Sequence, residues 1–139
     1  PLSKDFDYQF LNHGLSRSKS MIKSKLLDQS FIAGLGNIYV DESLWLAKIH
    51  PEKKSDTISG IKIRRLSDAI PMILKKAIEH NGTTIINFSF GNDSIGSYKE
   101  KLNVFGKTGE VCIRCKKSKI VKIFVSQRGT HFCPRCQKK

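Results

Sequence analysis

The sequence predicts a mainly α fold, a helical body followed by a small β-hairpin unit clamped by a metal ion. Three observations carry that expectation. Apolar residues ahead of residue 105 recur at helical spacing. All four cysteines fall in one C-terminal segment as two Cys-x-x-Cys pairs, Cys112/Cys115 and Cys133/Cys136, seventeen residues apart. From Val111 onward there is no Asp or Glu but nine Lys and Arg, interleaved with Ile120, Val121, Ile123, Phe124, Val125 and Phe132. That apolar content argues for a folded β unit rather than a solvated basic tail.

The helical body divides at its glycines and caps. A first helix is expected over 5–13, ending at Gly14 as a C′ glycine. Ser16 or Ser18 can cap a second helix reaching about Leu27, with Met21, Ile22, Lys25 and Leu26 on one face and Arg17, Lys19 and Lys23 on a basic flank. A third helix over 38–48 carries Tyr39, Leu44, Trp45 and Leu46. A fourth spans 59–80, where Leu66, Ile70, Ile73, Leu74, Ala77 and Ile78 keep helical spacing. Pro71 lies inside it and costs about 3 kcal/mol in a continuous helix, so a kink or break is expected there.

Between the second and third helices stands Gly34-Leu35-Gly36-Asn37. Two glycines permit close approach of backbone amides to a ligand, and a helix N-terminus directly after them favours an anion. A phosphate site and a plain helix–turn–helix connector are both open on this motif, and Lys23 nearby favours the phosphate. Asn37 is suited both to N-capping and to donating to a phosphate, and the two roles compete. Asp41 and Glu42 do not read as a catalytic pair, because adjacent helical side chains diverge by about 100°; a structural or capping role is expected.

In the C-terminal unit, two-residue spacing lets both sulfurs of each pair face one centre, and a hairpin between the pairs assembles a tetrahedral thiolate shell for Zn²⁺. Two disulfides are the rival arrangement, disfavoured where no export signal is seen. Strands are expected over 119–126 and 130–133, joined by Gln127-Arg128-Gly129, with Gly129 meeting the turn's demand for positive φ and Arg128 at the tip, able to fork onto phosphate. His131 is read as a hairpin or contact residue, since four thiolates already complete the shell.

Charge sets the partner class. The 139 residues hold 25 Lys and Arg against 12 Asp and Glu, a net charge of +13, and the pI is about 9.8. A polyanion is the natural partner of such a chain, because clustered cations release counterions from phosphates. No run of about 18 apolar residues exists, which excludes a transmembrane helix. The opening Pro1-Leu2-Ser3-Lys4-Asp5 lacks both an initiator Met and the apolar core of a signal peptide. A cytoplasmic, bacterial-type, nucleoid-associated protein is expected, and a monomer.

Taken in order, Leu27-Asp28-Gln29, Ala33-Gly34-Leu35-Gly36-Asn37-Ile38-Tyr39-Val40-Asp41-Glu42, Ile49-His50-Pro51, Val104-Phe105-Gly106-Lys107-Thr108-Gly109-Glu110 and Gln127-Arg128-Gly129-Thr130-His131-Phe132-Cys133-Pro134 span almost the whole chain. In these the sequence resembles the formamidopyrimidine-DNA glycosylase and endonuclease VIII family, on its formamidopyrimidine side. The resemblance implies a helix–two-turns–helix bundle over 1–105 and a small β-hairpin zinc finger over 106–139, together gripping double-stranded damaged DNA around a flipped nucleotide. It implies phosphate contacts from Lys23, Asn37, the amides of Gly34 and Gly36, and Arg128. It implies one structural Zn²⁺ on Cys112, Cys115, Cys133 and Cys136. Residues 91–98 resemble the family's loop over a flipped oxidised purine, with blurred glycine spacing, and Pro71 also departs from the family's usual helix.

The family's catalytic residues belong to an N-terminal β-sandwich whose leading proline attacks the sugar. Pro1 and its neighbours resemble instead the linker ahead of the helical domain, so no catalytic residue is assigned and the chain alone is expected to be inactive. The expected role is the DNA-binding half of a glycosylase and AP lyase for oxidised purines such as formamidopyrimidine and 8-oxoguanine. The alternatives are a stand-alone, non-catalytic, zinc-dependent module for damaged DNA and a zinc-ribbon protein contacting RNA or another protein.

Overall fold

A computed structural model of the chain describes residues 6–79 and 102–139. The expected loop at 91–98 and the linker at Pro1 lie outside them. The first helix, α1 (Tyr8–Ser16), starts where Asp7 accepts a hydrogen bond from the Phe10 amide at 2.9 Å. It runs straight through Gly14, which was expected to end it. A Cβ on Gly14 would stand 2.1 Å from Cε1 of Phe31, so the glycine makes room for an aromatic ring rather than capping the helix. Phe31 in turn stacks on Phe10 with ring centroids 5.3 Å apart.

Helix α2 (Ile22–Leu27) begins later than Ser16 or Ser18 would place it, and no side chain caps it. Instead the Ile22 amide donates to the carbonyl of Lys53 at 2.8 Å, and Met21 and Lys54 form an isolated β-bridge. A short 3-10 turn at Ser55–Thr57 continues that strap. Helix α3 (Asn37–Ala47) ends on Lys48 in the left-handed conformation, φ 61°. Helix α4 (Gly60–Glu79) is a single helix with Pro71 inside it, so of the expected kink or break the break does not occur. The proline lacks the amide that would bond the carbonyl of Ser67, and the surrounding core holds the helix together regardless.

Leu11 and Leu15 of α1, Leu26 of α2, Leu44 of α3 and Leu66 and Ile70 of α4 close one core. A second, smaller core joins Trp45 of α3 to Val104, Cys112, Ile120 and Cys133. Helix α3 therefore belongs to both, and its polar Asp41, Glu42 and Ser43 are buried along with Val40, Leu44, Trp45 and Ala47. Among the described residues no helix is long and apolar enough to cross a membrane.

The finger hairpin consists of β1 (Val121–Val125) and β2 (Arg128–Phe132), antiparallel, with Val125 opposite Arg128 and Phe124 opposite Gly129. The turn is thus the two residues Ser126 and Gln127, at φ 50° and 64°. Positive φ at both central residues is the signature of the type I′ turn, one of the two-residue hairpin turns that match strand twist. Gly129 lies in the strand, and Arg128 is the first residue of β2, one step from the tip. Among the described residues, four α-helices followed by a two-stranded antiparallel hairpin give the mainly α architecture that the sequence predicts.

Candidate metal centre and nucleic-acid interface

The four cysteine sulfurs converge from two tight turns, and all lie within 4.8 Å of one another. Sγ of Cys112 is 3.9 Å from that of Cys136, and Sγ of Cys115 is 3.7 Å from that of Cys133. A tetrahedral shell with metal–sulfur distances of about 2.3 Å sets sulfurs about 3.8 Å apart, whereas a disulfide requires about 2.05 Å. The site therefore fits one structural Zn²⁺ held by Cys112, Cys115, Cys133 and Cys136, with no open position for a substrate. Backbone amides of Lys117 and Ser118 draw the Cys115 thiol down to about 6. Burial pushes Cys133 up to about 12, and the positive charge of a bound metal favours its thiolate. The guanidinium of Arg114 donates to Sγ of Cys136 at 3.4 Å and lies 3.9 Å over the Trp45 ring. An indole of the helical body is thereby packed against the metal-binding turns.

The two carboxylates of α3 diverge as helical geometry demands: Glu42 holds residues 103–105, which lead into the finger, and Asp41 holds the finger hairpin. Glu42 accepts from the amides of Asn103, Val104 and Phe105 at 2.7, 2.8 and 2.9 Å, and from the Asn103 side chain at 3.1 Å. Burial pushes its carboxyl up while those hydrogen bonds pull the other way. Asp41 accepts at Oδ2 from the amide and Nδ1 of His131 at 3.0 and 3.1 Å, and at Oδ1 from Lys23. A structural role for both was expected from spacing; the particular partners, 18 to 90 residues away in the chain, carry no local sequence signal.

The glycine bend is shaped by Gln29, which accepts from the Gly34 amide at 2.8 Å and donates to the carbonyl of Leu35 at 3.4 Å. Gly34 requires its residue type: φ is +86°, and the space beyond its Cα is open. Gly36 is extended and takes the N-cap position of α3, and Asn37 is the first helical residue with its side chain uncommitted to capping. Asn37 Nδ2 donates instead to the carbonyl of Gly129 at 3.0 Å. The competition between cap and donor is thus decided by Gly36.

Lys23 is fully buried. Its Nζ is paired with Asp41 and stands 3.3 Å from the same Gly129 carbonyl. Burial pushes the ammonium below its usual range, Asp41 opposes this, and the neighbouring Arg128 charge adds to it. The next residue, Ser24, shares a 2.5 Å hydroxyl contact with Ser126. Arg128 itself is exposed. The structure therefore brings Lys23, Asn37 and the Arg128-Gly129 step of the finger to one place, with Gly34 and Gly36 on the bend that leads into Asn37.

The Formamidopyrimidine-DNA glycosylase H2TH domain model matches residues 1–89, and a zinc finger found in FPG and IleRS matches residues 109–139. The formamidopyrimidine-DNA glycosylase of Lactococcus lactis subsp. lactis (strain IL1403) is 50% identical over 139 residues, 100% of this chain and 50% of that protein. That of Streptococcus mutans serotype c is 48% identical over 140 residues, 99% of this chain and 50% of that protein. Among solved structures, the Lactococcus lactis enzyme bound non-covalently to DNA containing an AP site is 48% identical with a TM-score of 0.84, covering 98% of this chain and 47% of that one. Its complex with FAPY-dG-containing DNA gives 49% and 0.86, covering 98% and 49%. The chain spans about half the length of the curated relatives it matches.

Proposed function

This chain belongs to the formamidopyrimidine-DNA glycosylase family, and on that premise we propose that it is the part of a base-excision enzyme that grips double-stranded DNA at an oxidised purine. The observation that carries the reading is the meeting of Asn37 with the Gly129 carbonyl, which sets an exposed Arg128 beside the glycine bend. A basic fingertip and a helix N-terminus then face one sugar–phosphate strand.

Each group has a separate task. The Arg128 guanidinium forks onto a phosphate. Asn37 spends one amide proton on Gly129 and keeps the other for a phosphate oxygen. The first amides of α3 have no helical acceptor and add the positive end of the helix dipole. Gly34 and Gly36 let the strand approach the bend closely, and Lys23 stands behind the hairpin. Backbone contacts of this kind fix register without reading sequence. Zinc, when bound, supplies fold and not chemistry here. The whole enzyme would flip the damaged base, displace it through the amine of an N-terminal proline and cut the strand by elimination, as a monomer acting on nucleoid DNA. The Lactococcus complexes with AP-site and FAPY-dG DNA support that substrate class.

Fluorescence anisotropy of the zinc-loaded chain on an abasic-site duplex tests the grip. Arg128→Ala is expected to weaken binding about tenfold and to lower the slope of log K against log salt by about one. Binding and slope both unchanged in the variant would remove Arg128 from the interface and the reading with it.

A further inference from the structure

A lysine at a phosphate-binding surface is ordinarily exposed, and Lys23 is not. Its side chain is 0% accessible, its ammonium is paired with Asp41, and its second partner is the Gly129 carbonyl. That carbonyl also receives Asn37, so a single oxygen, one residue from Arg128, is held by α2 and α3 together. Asp41 closes the arrangement from the other side: its second oxygen holds the amide and ring of His131, two residues further along β2. To reach a phosphate Lys23 would have to leave Asp41 as a buried and uncompensated charge, the most unfavourable state open to such a pair.

We propose that Lys23 and Asp41 form a buried positioning pair that seats the finger hairpin on the helical body, so that Lys23 acts on bound DNA through the Gly129 carbonyl and Arg128 and touches no phosphate. The proposal rests on the phosphate-gripping reading above for its effect on DNA, but its structural half stands apart from it. Neither residue is a catalytic residue. Asp41 acts through His131 and Lys23, and Lys23 acts through the hairpin backbone. Buried ion pairs gain little net stability over apolar replacements, and their attested use is to fix one geometry among several.

Salt dependence separates a strut from a contact, because each phosphate neutralised contributes about one unit of slope. The measurement is made on the full zinc-loaded chain and an abasic-site duplex, in an Arg128→Ala background where the hairpin's own charge contact is already gone. Adding Lys23→Met there is expected to leave the slope unchanged and to weaken binding by less than about threefold, since residues acting as a unit are not additive. A further fall of about one unit shows a direct phosphate contact and overturns the proposal. Should Lys23→Met strand the Asp41 charge and unfold the protein, the combination Lys23→Met with Asp41→Asn strands none and yields the same slope. Amide hydrogen exchange without DNA supplies the second arm: Asp41→Asn is expected to speed exchange at Gly129 and His131 about tenfold while leaving the core of α1 and α4 unchanged. Unaltered exchange there sinks the pair and leaves the DNA reading intact. Failure of the unmodified chain to bind the duplex sinks the DNA reading and leaves the exchange result to decide the pair.

Discussion

Gly14 and Gly34 are both glycines out of necessity, but a methyl group tests the two necessities differently. At Gly14 the backbone is ordinary helix and the obstacle is the Phe31 ring, 2.1 Å from where a Cβ would stand. The ring can swing aside only by leaving its stack on Phe10 and the Lys25 ammonium 4.5 Å above it. Gly14→Ala is therefore expected to cost about 1–3 kcal/mol in urea denaturation, although alanine is the better helix former. At Gly34 the space is open and the obstacle is φ +86°, so Gly34→Ala is expected to cost only about 1 kcal/mol. The loss at Gly34 should also appear as weaker DNA binding, because the bend leads into Asn37. Equal stability of Gly14→Ala and the unmodified protein would mean that Phe31 does not pack as described. Sequence alone showed that these positions mattered but not how. Gly14 was legible as punctuation in a helical pattern, and the ring that fills its missing side chain comes from seventeen residues further on.

At the scale of elements, the helices were legible because their apolar periodicity is strong, and their ends were not, because tertiary contacts set them. Helix α2 begins where Lys53 supplies an acceptor, not where a serine precedes it. Helix α4 absorbs Pro71 because Ile70, Ile73 and Ala77 are buried on both sides of it. The hairpin was legible as two strands, but its turn was misplaced: Gly129 drew the assignment, whereas Ser126 and Gln127 carry the positive φ. Non-glycine residues in that conformation are strained, by about 1 kcal/mol or more apiece. Ser126 has a compensating hydroxyl contact with Ser24, and no such contact accompanies Gln127 among the described residues. Gln127→Gly is accordingly expected to raise the stability of the finger by about 0.5–1 kcal/mol, seen as slower amide exchange across Val121–Val125. Faster exchange would show that the turn is not the two-residue type.

For the molecule as a whole, the zinc ligands were legible because metal geometry constrains spacing tightly, while the joint between finger and body was not. Asp41, Glu42 and Trp45 lie within one helix, yet they reach His131, residues 103–105 and the Arg114 side chain, partners no periodicity reveals. That joint determines what metal removal does. The bundle core contains no cysteine, whereas the finger core contains Cys112 and Cys133 beside Trp45 and Ile120. Stripping zinc with a strong chelator is thus expected to unfold residues 107–139 and to leave most of the helical signal of α1 to α4 in place, because the metal supplies much of the folding free energy of so small a unit. Trp45 is the single tryptophan, 5% exposed and stacked under Arg114, so its emission should shift to the red as the finger opens. DNA affinity should fall in step, since Asn37 then has no Gly129 carbonyl and Arg128 has no fixed position. Re-adding Zn²⁺ should reverse both signals. An emission spectrum indifferent to zinc, measured on protein shown by metal analysis to be stripped, would mean that the finger folds without its metal and that Trp45 does not join the two cores.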